Sequence, residues 1–414
     1  MNNIGKPHIL IAGGGVAAVE ALLALADVAG ERVAISVLTP KAELELRALT
    51  VAVPFAQGHE NRRFPLAPLA RRAGATLIED SLAEVLPVDG CVVTTAGRRI
   101  SYDFLIVAVG ANPRPAYEHV MTFGSEPLII NGLLADIEEG YSKRVAFVVP
   151  PGVAWPLPAY ELALMTRRQA TGMGMDPEIT VVTPEASPLA VFGRAASVQV
   201  AELLEQAGVG VRTGAHATVG PSGRIGLAPS GDTLDAQRIV ALPLIDGPRI
   251  VGLPCDQDGF VPVDRFTRVL DAPGVYCVGD AANYPLKQGG LATQQADVAA
   301  FHIAALAGCA VTPQPFKPVL RGRLMTGGAE QFFVKELRRP AGRTSETPLW
   351  WPPTKVSGRY LTPWLSTVDP HALPPEPTRD TTAIEAEMPT DPAEARRVLL
   401  ALSPLGAPPK MRRM

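Results

Sequence analysis

Four glycine-bearing segments, far apart in the chain, carry residues suited to holding a phosphate-linked ligand. The first is His8-Ile9-Leu10-Ile11-Ala12-Gly13-Gly14-Gly15-Val16-Ala17-Ala18. Its apolar strand runs into a glycine turn and then into a small-residue helix, with Gly13, Gly15 and Ala18 in a G-x-G-x-x-A pattern. That arrangement brings the N–H groups of Val16 and Ala17, and the positive end of a helix, against a pyrophosphate. The second segment, Tyr102 to Ala111, is an apolar strand ending in Ala108-Val109-Gly110-Ala111. The third, Gly274 to Ala282, ends its strand in Gly279-Asp280, a carboxylate able to act as a helix N-cap. The fourth, Lys287-Gln288-Gly289-Gly290-Leu291-Ala292, opens an alanine-rich helix, so that Gly290, Leu291 and Ala292 could turn a helix N-terminus toward an anion. Lys287 is readable either as a cation beside the ligand or as a solvated loop charge.

These residues need two αβ units to position them. Residues 8–12, 16–29 and 33–38 read as strand, buried helix and strand, the βαβ context in which a glycine fingerprint carries weight. Residues 104–109 form an apolar strand of parallel-sheet type. A second unit starts at 144–149 and repeats the layout with a helix at 159–169, a strand at 178–183, a helix at 195–207 and a strand at 209–212. The chain then returns to the first unit over 249–310. The expected order is therefore a first domain split between 1–113 and 249–310, a second domain at 114–248, a cap at 311–369 and a mobile tail at 370–414. Within that tail, 392–401 reads as a short helix.

Two positions depart from the usual pattern. An acidic residue about 20 positions after the fingerprint normally grips a ribose, yet Thr39 ends the second strand, leaving its hydroxyl or the nearby Glu43 for that contact. The turn of the second unit, Pro150 to Glu161, has one glycine and four prolines. Proline donates no N–H, so the turn is a poor cradle for a pyrophosphate. Trp155 lies in it, and could stack on a ligand, block a channel or fill space between domains.

Taken together, the motifs resemble the FAD-dependent pyridine nucleotide-disulfide oxidoreductase superfamily, over roughly residues 7–365. The branch they look most like holds sulfide:quinone oxidoreductases, flavocytochrome c sulfide dehydrogenases and type II NADH dehydrogenases. The resemblance implies an α/β fold of two Rossmann-like FAD/NAD(P)-binding domains, three-layered with parallel sheets, and a C-terminal cap. It implies FAD held by Gly13, Gly15, Val16, Ala17, Thr39, Ala108, Gly110, Gly279, Asp280, Gly290, Leu291 and Ala292, with Trp155 and Lys287 near the reacting face. The expected reaction passes electrons through the flavin to a quinone-like or other small acceptor, with NAD(P)H as donor. Two alternatives stay open: a sulfide- or thiol-oxidising flavoprotein, and a redox-silent flavoprotein that binds a protein partner. In the sulfide-oxidising branch the proline-rich turn carries a redox cysteine, and Trp155 stands in its place.

Composition narrows the field further. A net charge of -3 gives no electrostatic footprint for nucleic acid. No apolar run reaches the ~18 residues of a spanning helix, and the N-terminus enters its first strand with no leader pattern, which leads us to expect a cytoplasmic protein. Cys91, Cys255, Cys277 and Cys309 are too scattered for a disulfide framework or a zinc site, and no other spacing suggests a metal. Trp350 and Trp351, with Lys355 and Arg359, suit peripheral membrane contact, domain capping or homodimer packing.

Overall fold

The computed structural model describes residues 5–55, 63–126, 128–220, 223–327, 331–334, 354–368 and 385–402. The chain begins with β1 (His8–Ala12), α1 (Val16–Val28) and β2 (Ala34–Thr39). Strands β3 (Thr76–Glu79) and β4 (Phe104–Val107) follow. The second unit comprises β5 (Arg144–Val148), α2 (Leu157–Gly172), β6 (Glu178–Val182), α3 (Arg194–Gln206), β7 (Val209–Arg212) and β8 (Arg238–Ala241). Strand β9 (Val275–Cys277) and α4 (Gly289–Leu306) come after it.

The first sheet has the order β9-β4-β1-β2-β3 and is parallel throughout. Late strand β9 adds to β4 with Val275 opposite Leu105. The second sheet, also parallel, runs from Met121–Thr122 through β8, β5, β6 and β7. Strand β1 is central in the first sheet and β5 in the second, and from each the chain goes on to strands at both sides, which creates a crevice at the strands' carboxyl ends. Ile9 to Ala12 and Val145 to Val148 are buried, as strands covered on both faces must be.

Alanine composition sets the closest helix contact. Ala17, Ala18, Ala21 and Ala24 of α1 share one core with Ala292, Ala296, Ala299 and Ala300 of α4. Small side chains let the two backbones approach, and the N-termini of both helices converge on Gly279. A Cβ there would lie 3.4 Å from the Cβ atoms of both Ala17 and Ala292.

A third, antiparallel sheet joins β10 (Val319–Leu324) to residues 331–334 and to β11 (Glu385–Glu387). Helix α5 (Leu361–Val368) docks on α1, its Trp364 edge-on to Phe64 with ring centroids 5.7 Å apart. Helix α6 (Pro392–Ala401) falls where the sequence predicts it. Residues 385–402, however, are not the loose tail that their composition suggests. Ala395 and Met388 are buried, and the Leu402 carbonyl accepts the Ala186 N–H at 2.9 Å. A few apolar contacts per turn suffice where a ready-made groove supplies the other side. Trp350 and Trp351 lie outside the described residues. Among those that are described, no helix is long and apolar enough to cross a membrane.

One carboxylate fastens α5. Buried Glu20 of α1 accepts the Tyr360 N–H at 2.9 Å and the Leu361 N–H at 2.6 Å, satisfying the free donors that begin α5. Asp297 of α4 faces Glu20, and burial followed by the Glu20 charge pushes its carboxyl up to about 8. The pair therefore shares a proton near neutral pH. A carboxyl whose folded pKa lies above its unfolded value stabilises fully below the unfolded pKa and loses that contribution as pH rises through the folded one. The wild-type melting temperature is accordingly expected to fall between about pH 5 and 8. Asp297→Asn, which keeps a donor for Glu20 and removes the titration, should flatten that fall. An equal slope in both proteins would refute the shared proton.

Candidate functional site

A cleft of about 520 Å³ opens at the carboxyl ends of β1, β2, β4 and β9, within the range of cofactor sites. Gly13 has φ +139°, and a Cβ on it would lie 2.2 Å from the Ala108 carbonyl oxygen, so only glycine lets the two strand ends meet. Gly15 differs. It has an ordinary φ of −85°, and a Cβ on it would meet nothing within 4 Å. Its side-chain direction is open cleft. No side chain caps α1, which leaves the first N–H groups of the helix to a ligand. Val16, Ala17, Ala108, Gly110, Gly279 and Asp280 also line the cleft. Burial raises the Asp280 carboxyl, and Lys287 and Arg47 oppose that shift. These residues fit a pyrophosphate and the polyol chain beside it.

At the far end of β2, the Thr39 hydroxyl lines the cleft but is already engaged: it donates to the Lys41 carbonyl at 3.1 Å and accepts the Lys41 N–H at 3.3 Å. Glu43 and Glu45 line the same end, so the ribose contact has carboxylates within reach that do not end the strand. The start of α4 is only partly as expected. Ala292 lines the cleft, with Gln288 and Gly289 ahead of it. Gly290 turns away, a Cβ on it lying 2.9 Å from Ser357 Oγ, and Leu291 is a core residue. The Gln288 side chain caps this helix itself, accepting the Leu291 N–H at 3.0 Å. One turn further on, buried Gln295 accepts the Gly279 N–H at 2.7 Å and so holds the turn that presents Asp280.

Trp155 lines the cleft and packs edge-on to Phe192, with ring centroids 5.8 Å apart. It thus serves both as a wall of the site and as packing between elements. Lys287 is not a solvated loop charge. Its ammonium donates to the Ala282 carbonyl and sits 3.8 Å from the centroid of the Phe260 ring. Burial brings it down to about 8, against the opposing pull of Asp280.

Sequence reasoning passed over a buried ion pair in this wall. Glu161 of α2 is fully buried and accepts from the Lys355 ammonium and, at 2.8 Å, from the Met325 N–H. Lys355 also donates to the Arg323 carbonyl at 2.7 Å. Burial raises the Glu161 carboxyl, and Lys355 pulls it back. Its second oxygen, Oε2, has no hydrogen-bond partner among the described residues. Both residues line the cleft, as does Trp155. The available signal was a glutamate inside the otherwise apolar run Leu157 to Met165.

A second cavity of about 460 Å³ lies at the carboxyl ends of β5 and β6, bounded by the Pro150–Ala154 turn, Glu185 and Phe260. Glu185 is drawn inward, accepting from Tyr160 Oη at 2.6 Å and from Thr183 Oγ1 at 3.1 Å. Lys287 lines both cavities, so a single residue separates them there. None of the four cysteines lines either one.

Two α/β units with facing cavities define a two-dinucleotide oxidoreductase architecture, and comparison with known proteins agrees. Residues 7–301 match the pyridine nucleotide-disulphide oxidoreductase family, and the chain belongs to it. Among solved structures it is similar to the sulfide:quinone oxidoreductase of the hyperthermophilic bacterium Aquifex aeolicus. That match has a TM-score of 0.69 at 18% identity, over 79% of this chain and 83% of that one. A ferredoxin reductase of the CYP199A2 system from Rhodopseudomonas palustris matches with TM-score 0.63 and 18% identity, over 82% and 85%. A NAD-dependent persulfide reductase from A. fulgidus matches with TM-score 0.56 and 21% identity, over 76% and 62%. No curated protein sequence matches the chain.

Two substitutions separate cradle from scaffold. Gly15→Val should lower the stability of the ligand-free fold by only about 1 kcal/mol, as a poorer helix N-cap, yet yield colourless protein. Gly13→Ala should destabilise the fold by on the order of 3 kcal/mol or more, through its backbone clash. Melting temperature and absorbance at flavin wavelengths read both; a yellow Gly15→Val protein would refute the cradle. Trp155→Ala should cost about 2 kcal/mol for a half-buried aromatic and speed flavin reduction by small artificial donors several-fold. Unchanged rates would leave Trp155 a packing residue alone.

Proposed function

We propose that this protein is an FAD-dependent oxidoreductase that takes an electron pair from NAD(P)H and passes it to a quinone-like acceptor. FAD, when bound, accepts the pair from the donor and releases it to the acceptor. Reducing a quinone to its quinol consumes two electrons and two protons, so the acceptor end of the cleft needs groups that hold and deliver protons. The observation that carries the reading is the buried Glu161–Lys355 pair on the cleft wall. Glu161 has its carboxyl raised by burial and an oxygen without a hydrogen-bond partner. A carboxyl raised by burial on a cleft wall is suited to carry a proton to a bound acceptor. Lys355 keeps the proton-free carboxylate tolerable in that setting. Trp155 supplies an apolar wall beside the pair, suited to a flat ring.

The second cavity supports the donor half. It occupies the crevice where a second Rossmann unit receives its nucleotide, and it abuts the cleft at Lys287. A thiol-based route is disfavoured because no cysteine lines either cavity. Anaerobic titration with NADH, NADPH and sulfide in turn, following loss of flavin colour, tests the donor. Bleaching by sulfide and by neither nucleotide would overturn it. Glu161→Gln, alone and combined with Lys355→Met, should keep FAD and the rate of reduction by the donor, while slowing reoxidation by a soluble quinone about 10²-fold. Equal reoxidation rates in wild type and both variants would remove the pair from proton delivery.

A further inference from the structure

Part of the wall of the second cavity comes from a helix far along the chain. Helix α6 forms part of its wall, contributing Arg396, Leu399 and Leu400 to the lining, with Leu402 just after the helix. Its attachment is specific. Leu402 O accepts the N–H of Ala186, just beyond β6, at 2.9 Å. Tyr284 Oη donates to the Pro389 carbonyl at 2.9 Å, and Thr390 Oγ1 to the Phe316 carbonyl at 2.8 Å. Asp391 caps the helix by accepting the Ala393 N–H at 2.8 Å, and Ala395 is fully buried against the second domain.

A dinucleotide entering a Rossmann unit crosses the carboxyl ends of its first two strands, with its pyrophosphate at the strand-to-helix turn and its ribose near the end of the next strand. In this chain those places are the Pro150–Ala154 turn and Glu185, and α6 lines the same cavity as both. With the helix seated, about 460 Å³ remains beneath it. We propose that α6 is a resident lid on the second nucleotide site, and that NAD(P)H reaches the flavin only when this helix lifts. The proposal rests on the reading of that cavity as the donor site. Its polar anchors lie at the two ends of the helix, at Pro389–Thr390 and at Leu402, with leucine side chains between them. Such an element can leave as a unit and return to the same register, the behaviour of lids elsewhere.

The test uses the full-length FAD-bound protein and a probe that cannot reduce flavin, ADP-ribose. Leu399→Asp with Leu402→Asp places two charges under the helix and should lift it, seen as faster hydrogen exchange over 388–402. The lid predicts that ADP-ribose then binds at least ten-fold more tightly, that NADH reduces the flavin faster at subsaturating concentration, and that dithionite reduction is unchanged. Asp391→Ala removes only the exposed cap. It should give smaller rises in exchange and affinity, and it keeps the question open to measurement if the double variant fails to fold. Equal ADP-ribose affinity in wild type and lifted variants would show that the helix is no barrier. Absence of ADP-ribose binding in every form, with the helix demonstrably lifted, would overturn the donor site and the lid together.

Discussion

The close approach of α1 and α4 is the constraint on which the rest of the molecule depends. Alanine faces let the helices meet, and their meeting brings two positive helix ends to one place, beside Gly279 and Asp280. One such end is a common anion site; here the uncapped start of α1 is open to the cleft, while Gln288 caps the start of α4 and holds it beside the Asp280 turn. Gly279 can sit there because it lacks a side chain, and Gln295 can hold its N–H because α4 is near enough. Widen the helix pair by one methyl layer and the cradle, the Asp280 turn and the seat of the cap would all shift.

Two carboxylates share the task of seating the cap. Glu20 of α1 takes backbone N–H groups from Tyr360 and Leu361, and Glu161 of α2 takes the Lys355 ammonium and the Met325 N–H. Each lies in a helix that is otherwise apolar on its buried face, where an unpaired charge would be strongly unfavourable. The cap therefore has few ways to dock: only the seated arrangement gives both carboxylates their donors. One pair ties it to the first domain and the other to the second domain's leading helix. The same contacts that hold the cap place Lys355 on the cleft wall, so fold and chemistry share a residue.

Much of this was legible in the sequence, for identifiable reasons. Parallel strands buried on both faces read as unbroken apolar runs, and the turns between strand and helix carry glycines where backbones converge, so β1, β4, β9 and the Gly13–Gly15 turn declared themselves. The helix at 392–401 was legible from its Asp391-Pro392 start. What stayed hidden depended on distance. Glu20, Asp297, Glu161 and Lys355 gain their meaning from partners hundreds of residues away, and no local period reports such pairs. Gly290 and Leu291 look like continuations of the cradle, yet the Ser357 segment lies over the first and the core takes the second. Lys287 likewise sits in a loop whose burial only the packed Phe260 ring discloses.

Strand β9 completes the first sheet from the far side of the second domain. During synthesis, β4 emerges long before its outer partner, and at ordinary translation speeds the interval is roughly 10–30 s. Over that time one edge of a parallel sheet stands open, with the apolar faces of α1 and β4 uncovered where α4 and β9 will lie. The intervening unit, whose own sheet is closed within 121–241, can fold on the ribosome meanwhile. The first domain cannot. Its maturation is deferred until α4, which ends at Leu306, has been made, and during that time the nascent edge stands open to mispairing with other chains.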